Sequence, residues 1–197
     1  FRKSRSDLDA RKTQQKRSSE LLPAEIMSML EIEPYGQFEV AFRRDTSDDA
    51  VLAHSFNNDI FLSGVPEYSP QPDHVVVDVG AHIGTFSLLA SSVAGRIYAI
   101  EPCLESCNLC RINVALNRLY DQISVSRLAL SDHEGECTLH HDEGNWGHTI
   151  MAPKTGIGEQ VQTSTLGGFL NANGIPRCDF MKMNCEGAEF PIVLTSS

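Results

Sequence analysis

Two carboxyl groups and two glycines are spaced for work on a nucleoside. In VVVDVGAHIG, residues 75–84, an apolar run ends at Asp78, Gly80 follows, and Gly84 opens the next segment after Ala81, His82 and Ile83. A tight turn there brings backbone N–H groups and a helix N-terminus to the carboxyl end of a sheet, where open α/β sheets bind ligands. Glu101 ends the next apolar run, RIYAIE, 23 residues after Asp78. A carboxylate in that place can accept hydrogen bonds from both hydroxyls of a ribose. A dinucleotide fingerprint requires G-x-G-x-x-G, but Gly80 is followed by Ala81 and the spacing is D-x-G-x-x-x-G. The competing reading is a plain βα turn with Glu101 as a solvated strand end.

A second chemistry is suggested by EPCLESCNLC, residues 101–110. Cys103, Cys107 and Cys110 are spaced C-x3-C-x2-C, as in radical S-adenosylmethionine (SAM) enzymes that hold an iron–sulfur cluster. At helical periodicity these three and Val114 fall on one continuous stripe. A cluster needs thiolates converging on a loop, so the stripe reads as a packing face. His140, His141, Asp142 and Glu143 also invite a metal reading, but adjacent strand residues point to opposite faces, and a solvated hairpin end is expected.

The elements that must position these residues alternate from 74 onward. VVVDVG reads as a strand buried on both sides. A helix over about 83–93 follows, with Ile83, Phe86, Leu89, Ala90 and Val93 on one face. RIYAIE is the next strand and 104–117 the next helix. QISVSRLAL, GECTLHH and VQTST read as three further strands, TLGGFLNANG as a helix ending at Gly174, and DFMKMN as a buried strand. Before the sheet, residues 18–34 suggest a Ser-capped amphipathic helix. GQFEVAFRR, DTSDDAVLAHSF and NDIFLSG then suggest a strand, a short helix and a short extended piece. The expected organisation is a tail and cap over 1–72 and a ligand-binding domain over 73–197, in the α/β class.

VVVDVGAHIGTFSLLAS, IYAIEPCLESCNLCRINVALN, LALSDHEGECTL and DFMKMNCEGAEF together resemble the FkbM family of SAM-dependent methyltransferases, over about residues 75–194. DTSDDAVL extends the resemblance toward residue 45. The family implies a Rossmann-like class I methyltransferase sheet flanked by helices, SAM as the methyl donor and a hydroxyl oxygen as the usual acceptor. It also implies strands beyond DFMKMN, so that the chain is a fragment or lacks part of its sheet. Carried over by position, Asp78, Gly80 and Gly84 lie at the methionine half of SAM, Glu101 at the ribose and Cys103 near the adenine. Ala129, Leu130 and Ser131 wall the adenine, and Ala81, Pro102 and Asn184 complete the cofactor set. The family pattern before E-G-A-E is K-I-D-V, whereas this chain has Lys182, Met183, Asn184 and Cys185. Asn can orient only through neutral hydrogen bonds, which argues against a divalent metal mechanism.

Methyl transfer to a hydroxyl depends on holding the oxygen in line in a water-poor pocket and gains from a base. Glu186, just past the DFMKMN strand, is the first candidate. His148, in the GNWGHT loop beside Trp146, is the second. Lys182 contacts substrate or pairs with Glu186 or Glu189, or else forms an ion pair that fixes the loop. The chain has a formal charge of -10, and residues 1–20 hold seven of its 16 basic residues. The remainder is strongly acidic, which argues against nucleic acid as the main partner. No window has the roughly 18 apolar residues of a membrane span. The expectation is a cytoplasmic protein with reduced thiols and a small-molecule acceptor. Two other readings remain: a silent SAM-binding scaffold and the cluster enzyme.

Overall fold

The computed structural model describes residues 28–57, 60–140, 150, 158–185 and 187–195. At its centre four parallel strands run in the order β5-β4-β3-β9. They are β3 (Val75–Val79), β4 (Arg96–Ile100), β5 (Ile123–Ser126) and β9 (Phe180–Met183). The α/β class read from the sequence is therefore the observed one. In β3 side chains alternate between two cores, as a strand covered on both faces requires. Val76 joins Ile83, Phe86 and Leu109 on one side, while Val77 and Val79 join Phe169 and Ile192 on the other.

The first core is covered by α2 (Thr85–Ser91) and α3 (Leu104–Leu116). The predicted face of α2 holds at Ile83, Phe86 and Ala90, but Val93 is exposed and Leu88 is fully buried. The helix ends at Ser91, and Val93 follows it. The second core is covered by α4 (Leu166–Ala172) and α5 (Glu189–Leu194). A separate three-stranded sheet, in the order β6-β8-β7, contains β6 (Ala129–Leu130), β7 (Gly135–His140) and β8 (Gly158–Ser164). QISVSRLAL is thus two strands rather than one. The chain breaks at Arg127, whose guanidinium pairs with Glu159 at 2.8 Å, and passes from the parallel sheet to the smaller one.

The N-terminal segment departs most from expectation. Residues 30–34 are not helical: β1 (Leu30–Tyr35) pairs antiparallel with β2 (Phe38–Arg43). Pro34 opposes a helix there, and the partner strand supplies the hydrogen bonds that LEIEPY lacks by itself. Ser28 and Met29 are helical, and residues 18–27 of the predicted helix lie outside the described residues. DTSDDAVL forms α1 (Asp48–Leu52), which continues into a π-helical turn (Ala53–Asn57). Residues 60–64 form turns, not the extended piece expected. No helix among the described residues is long and apolar enough to cross a membrane.

Asn113 on α3 and Asn117, the cap of its C-terminus, dock this hairpin. Asn113 accepts from the Ala41 N–H at 2.7 Å and donates to the Ala41 and Ile83 carbonyls at 3.0 and 2.8 Å. Asn117 makes the same two-way pairing with Glu39, at 3.0 and 2.8 Å. Their amides act as a surrogate strand on the edge of β2. Asn113→Ala would leave buried backbone groups unpaired, so we expect a loss of about 3 kcal/mol in urea unfolding. The more exposed Asn117→Ala is expected to cost about 1 kcal/mol.

Candidate active site

Asp78, the last residue but one of β3, has no exposure and points toward α2, where the Ser87 hydroxyl donates to Oδ2 at 2.7 Å. Its Oδ1 faces the Lys182 ammonium at 3.0 Å as an ion pair. Lys182 rises from β9, only 7 % exposed, and donates to the Gly80 carbonyl at 2.6 Å. The loop after β3 is therefore clamped from beneath by a buried pair. Of the roles read for Lys182, loop fixing is the one this geometry displays. Its expected partner Glu189 instead accepts from the Cys185 and Gly187 N–H groups, both at 2.8 Å.

Gly80 is required by close approach. Its φ is +73°, and a Cβ there would lie 2.0 Å from the Asn184 carbonyl oxygen. Gly84 has φ +86°, and a Cβ there would lie 2.6 Å from the Cys110 sulfur. Gly84→Ala is thus expected to cost about 2 kcal/mol in urea unfolding, from left-handed backbone and overpacking together. Adding Cys110→Ala should return the steric half and leave the backbone half.

Glu101 directly follows β4, at 5 % exposure. The His82 N–H donates to its Oε2 at 2.7 Å and the Cys103 N–H to its Oε1 at 2.9 Å. A carboxylate has about four lone-pair sites, so each oxygen retains one. Burial pushes the Glu101 carboxyl up to about 7 against these two hydrogen bonds and the Lys182 charge, which favour ionisation. Such an acid is poised to bind groups that donate hydrogen bonds to its ionised form.

These groups border a cavity of about 320 Å³ at the carboxyl end of the parallel sheet. Gly80, Ala81, Glu101, Pro102, Ala129, Lys182 and Asn184 are among the residues that line it. Asp78 and Gly84 shape the loop from behind. Cys103 acts through its N–H on Glu101, and Ser131 is buried against the Ser164 carbonyl at 3.0 Å. Glu186 and His148 lie outside the described residues, as does Trp146. The expected loop donors are turned inward: the Gly80 and Ala81 N–H groups both bond the Ile100 carbonyl at 3.0 Å. The loop thus offers shape and carbonyls, not the amide nest that a pyrophosphate requires.

A further wall escaped the sequence reading. Ser47, Val51, His54 and Phe61 bring the N-terminal segment over the cavity, pinned where Ser55 and Thr85 hydroxyls meet at 2.8 Å. The DTSDDAVL resemblance was the available signal. The cysteine stripe is buried on α3, with exposures of 3 %, 0 % and 0 % at Cys103, Cys107 and Cys110. Burial pushes Cys103 and Cys107 up to about 11 and holds Cys110 well above the ordinary thiol value, so these thiols are neutral core residues.

A model of the Methyltransferase FkbM domain matches residues 78–196. The chain belongs to the FkbM methyltransferase family. The match begins at Asp78 and takes in both glycines, Glu101 and Lys182. The FkbM chain is also 41 % identical over 75 residues to the AMB antimetabolite synthetase AmbE of Pseudomonas aeruginosa, which covers 37 % of this chain and 3 % of that protein. Among solved structures it is similar to Trm5b from Pyrococcus abyssi, at 13 % identity and TM-score 0.38 over 52 % of this chain and 32 % of that one. It is also similar to M. jannaschii TYW2 in complex with AdoMet, at 17 % identity and TM-score 0.33 over 54 % of this chain and 52 % of that one. The chain spans about 3 % of the curated relative and about a third to a half of these structures. The family assignment rests on the domain match.

Proposed function

We propose that this FkbM domain binds S-adenosyl-L-methionine in the 320 Å³ cavity and transfers its methyl group to a hydroxyl oxygen of a small molecule. The observation that carries this reading is the Glu101 carboxylate, buried at the cavity edge with both oxygens tethered and one lone pair free on each. Two vicinal ribose hydroxyls fit that acceptor pair. Ala129, Leu128 and Leu130 give the neighbouring wall an apolar surface suited to an adenine face. Gly80, with no room for a Cβ, holds the loop against Asn184 where the methionine half would lie.

When bound, SAM supplies a methyl carbon on a sulfonium, open to in-line displacement by an oxygen. The protein's part is to orient the acceptor and exclude water. Val51, Phe61 and Phe86 form apolar walls for that purpose, and Ser47, His54 and Thr85 add polar groups. Glu186 is our first choice for the base that takes the hydroxyl proton, with His148 second. Lys182 acts by holding the loop, and no step needs a metal ion.

Calorimetry with S-adenosylhomocysteine and transfer of label from methyl-labelled SAM to small hydroxyl compounds test the proposal. Micromolar binding together with an alkali-stable labelled ether is the expected result. Binding without turnover would favour a scaffold, and absence of binding would overturn the assignment of the cavity.

A further inference from the structure

His82 is the one non-glycine residue of the cavity loop with a left-handed backbone, at φ +53°. A left-handed backbone is uncommon outside glycine, and here it turns the 82 N–H onto Glu101 Oε2. Its imidazole Nε2 lies 3.5 Å from Asp48 Oδ1, a fully buried carboxylate, with which it forms an ion pair when protonated. Asp48 is in turn gripped by Arg43, through Nε at 3.0 Å, Nη2 at 2.8 Å and the backbone N–H at 2.8 Å. The Arg43 Nη2 also donates to the Ser106 hydroxyl at 3.3 Å, in the first turn of α3. That helix follows directly on Cys103, whose N–H holds the other Glu101 oxygen. Both tethers of the carboxylate therefore lead back to one buried Arg43–Asp48 pair.

We propose that Asp48 and His82 are positioning residues for Glu101, so that the acidic turn before the sheet sets ribose selectivity without touching the ribose. The proposal rests on the adenosyl reading of the cavity. Removing the imidazole frees the 82 peptide to leave its left-handed conformation, and the carboxylate then loses its fixed plane. Ligands with and without a 2′-hydroxyl should become nearly equal, because the lost quantity is hydrogen-bond alignment and not pocket volume.

The test measures binding of S-adenosylhomocysteine, adenosine and 2′-deoxyadenosine to the full chain and to His82→Gly, Asp48→Asn and Glu101→Gln. Glycine opens the rest of backbone space to residue 82 once the imidazole anchor is gone, and the Arg43–Asp48 pair remains intact in that variant. In the wild type, adenosine is expected to bind about tenfold tighter than 2′-deoxyadenosine. In His82→Gly and Asp48→Asn the ratio should fall to about twofold, near that of Glu101→Gln. Should Asp48→Asn fail to fold, His82→Gly decides alone. A His82→Gly protein that binds both nucleosides more weakly but keeps the tenfold ratio overturns the inference, since a merely structural role moves both equally. A wild type that binds S-adenosylhomocysteine but ignores the 2′-hydroxyl overturns it too, while leaving the adenosyl reading intact. A wild type that binds none of the three overturns both.

Discussion

Glu101→Gln is expected to weaken S-adenosylhomocysteine binding about 100-fold while making the protein's stability less dependent on pH. The affinity loss follows from replacing a charged acceptor of two hydroxyls by a neutral amide with one acceptor oxygen. The pH effect follows from burial, which moves the carboxyl from 4.5 to about 7. Between those values the unfolded chain has released the proton and the folded chain still holds it. Wild-type stability from this group is therefore fully present below about 4.5 and is lost as pH rises through about 7, a change of about 3 kcal/mol. Glutamine does not titrate, so urea unfolding at pH 5 and pH 8 should show the variant gaining on the wild type by about that amount. Ribose hydroxyls favour the ionised acceptor, so wild-type affinity should be about tenfold weaker at pH 5.5 than at pH 8, with the variant flat. A wild type whose affinity is the same at both values would show that Glu101 is not the ribose acceptor.

Lys182→Met should cost about 3–5 kcal/mol, because it leaves Asp78 buried with its charge uncompensated. Removing both charges is far less harmful, so Asp78→Asn combined with Lys182→Met should recover about half of the loss. Asn at 78 can still accept from Ser87, which keeps that end of the strand paired. Urea unfolding of the four proteins completes the cycle. A coupling near zero would mean that Lys182 is held by the Gly80 carbonyl alone. Binding of S-adenosylhomocysteine should fall in the single variant and partly return in the double one, since the clamp holds the cavity loop.

Strong local patterns were legible in the sequence. VVVDV has no polar face except Asp78, so a strand covered on both sides was its only stable place. The spacing of Gly80, Gly84 and Glu101 located the carboxyl edge, where the cavity is found. The Cys103, Cys107 and Cys110 stripe announced a packing face through helical periodicity alone, and all three thiols are buried. LEIEPY failed because a six-residue segment has no decisive preference of its own, and its strand exists only through the register with β2. The break in QISVSRLAL likewise depends on Glu159, 32 residues away in the chain.

Sequence by itself determined the family, the parallel sheet and the identity of the carboxylate at the cavity edge, because each is written in residues close together along the chain. Only the tertiary structure decided how those residues are held. It assigned Lys182 to Asp78 rather than to Glu189, turned the loop amides inward, and placed Ser47, His54 and Phe61 over a cavity formed mainly by later elements. Those outcomes depend on charges, hydrogen bonds and excluded volume between segments up to about a hundred residues apart, as in the Lys182 contact with Gly80. Pattern spacing carries no information about such meetings until the chain has folded.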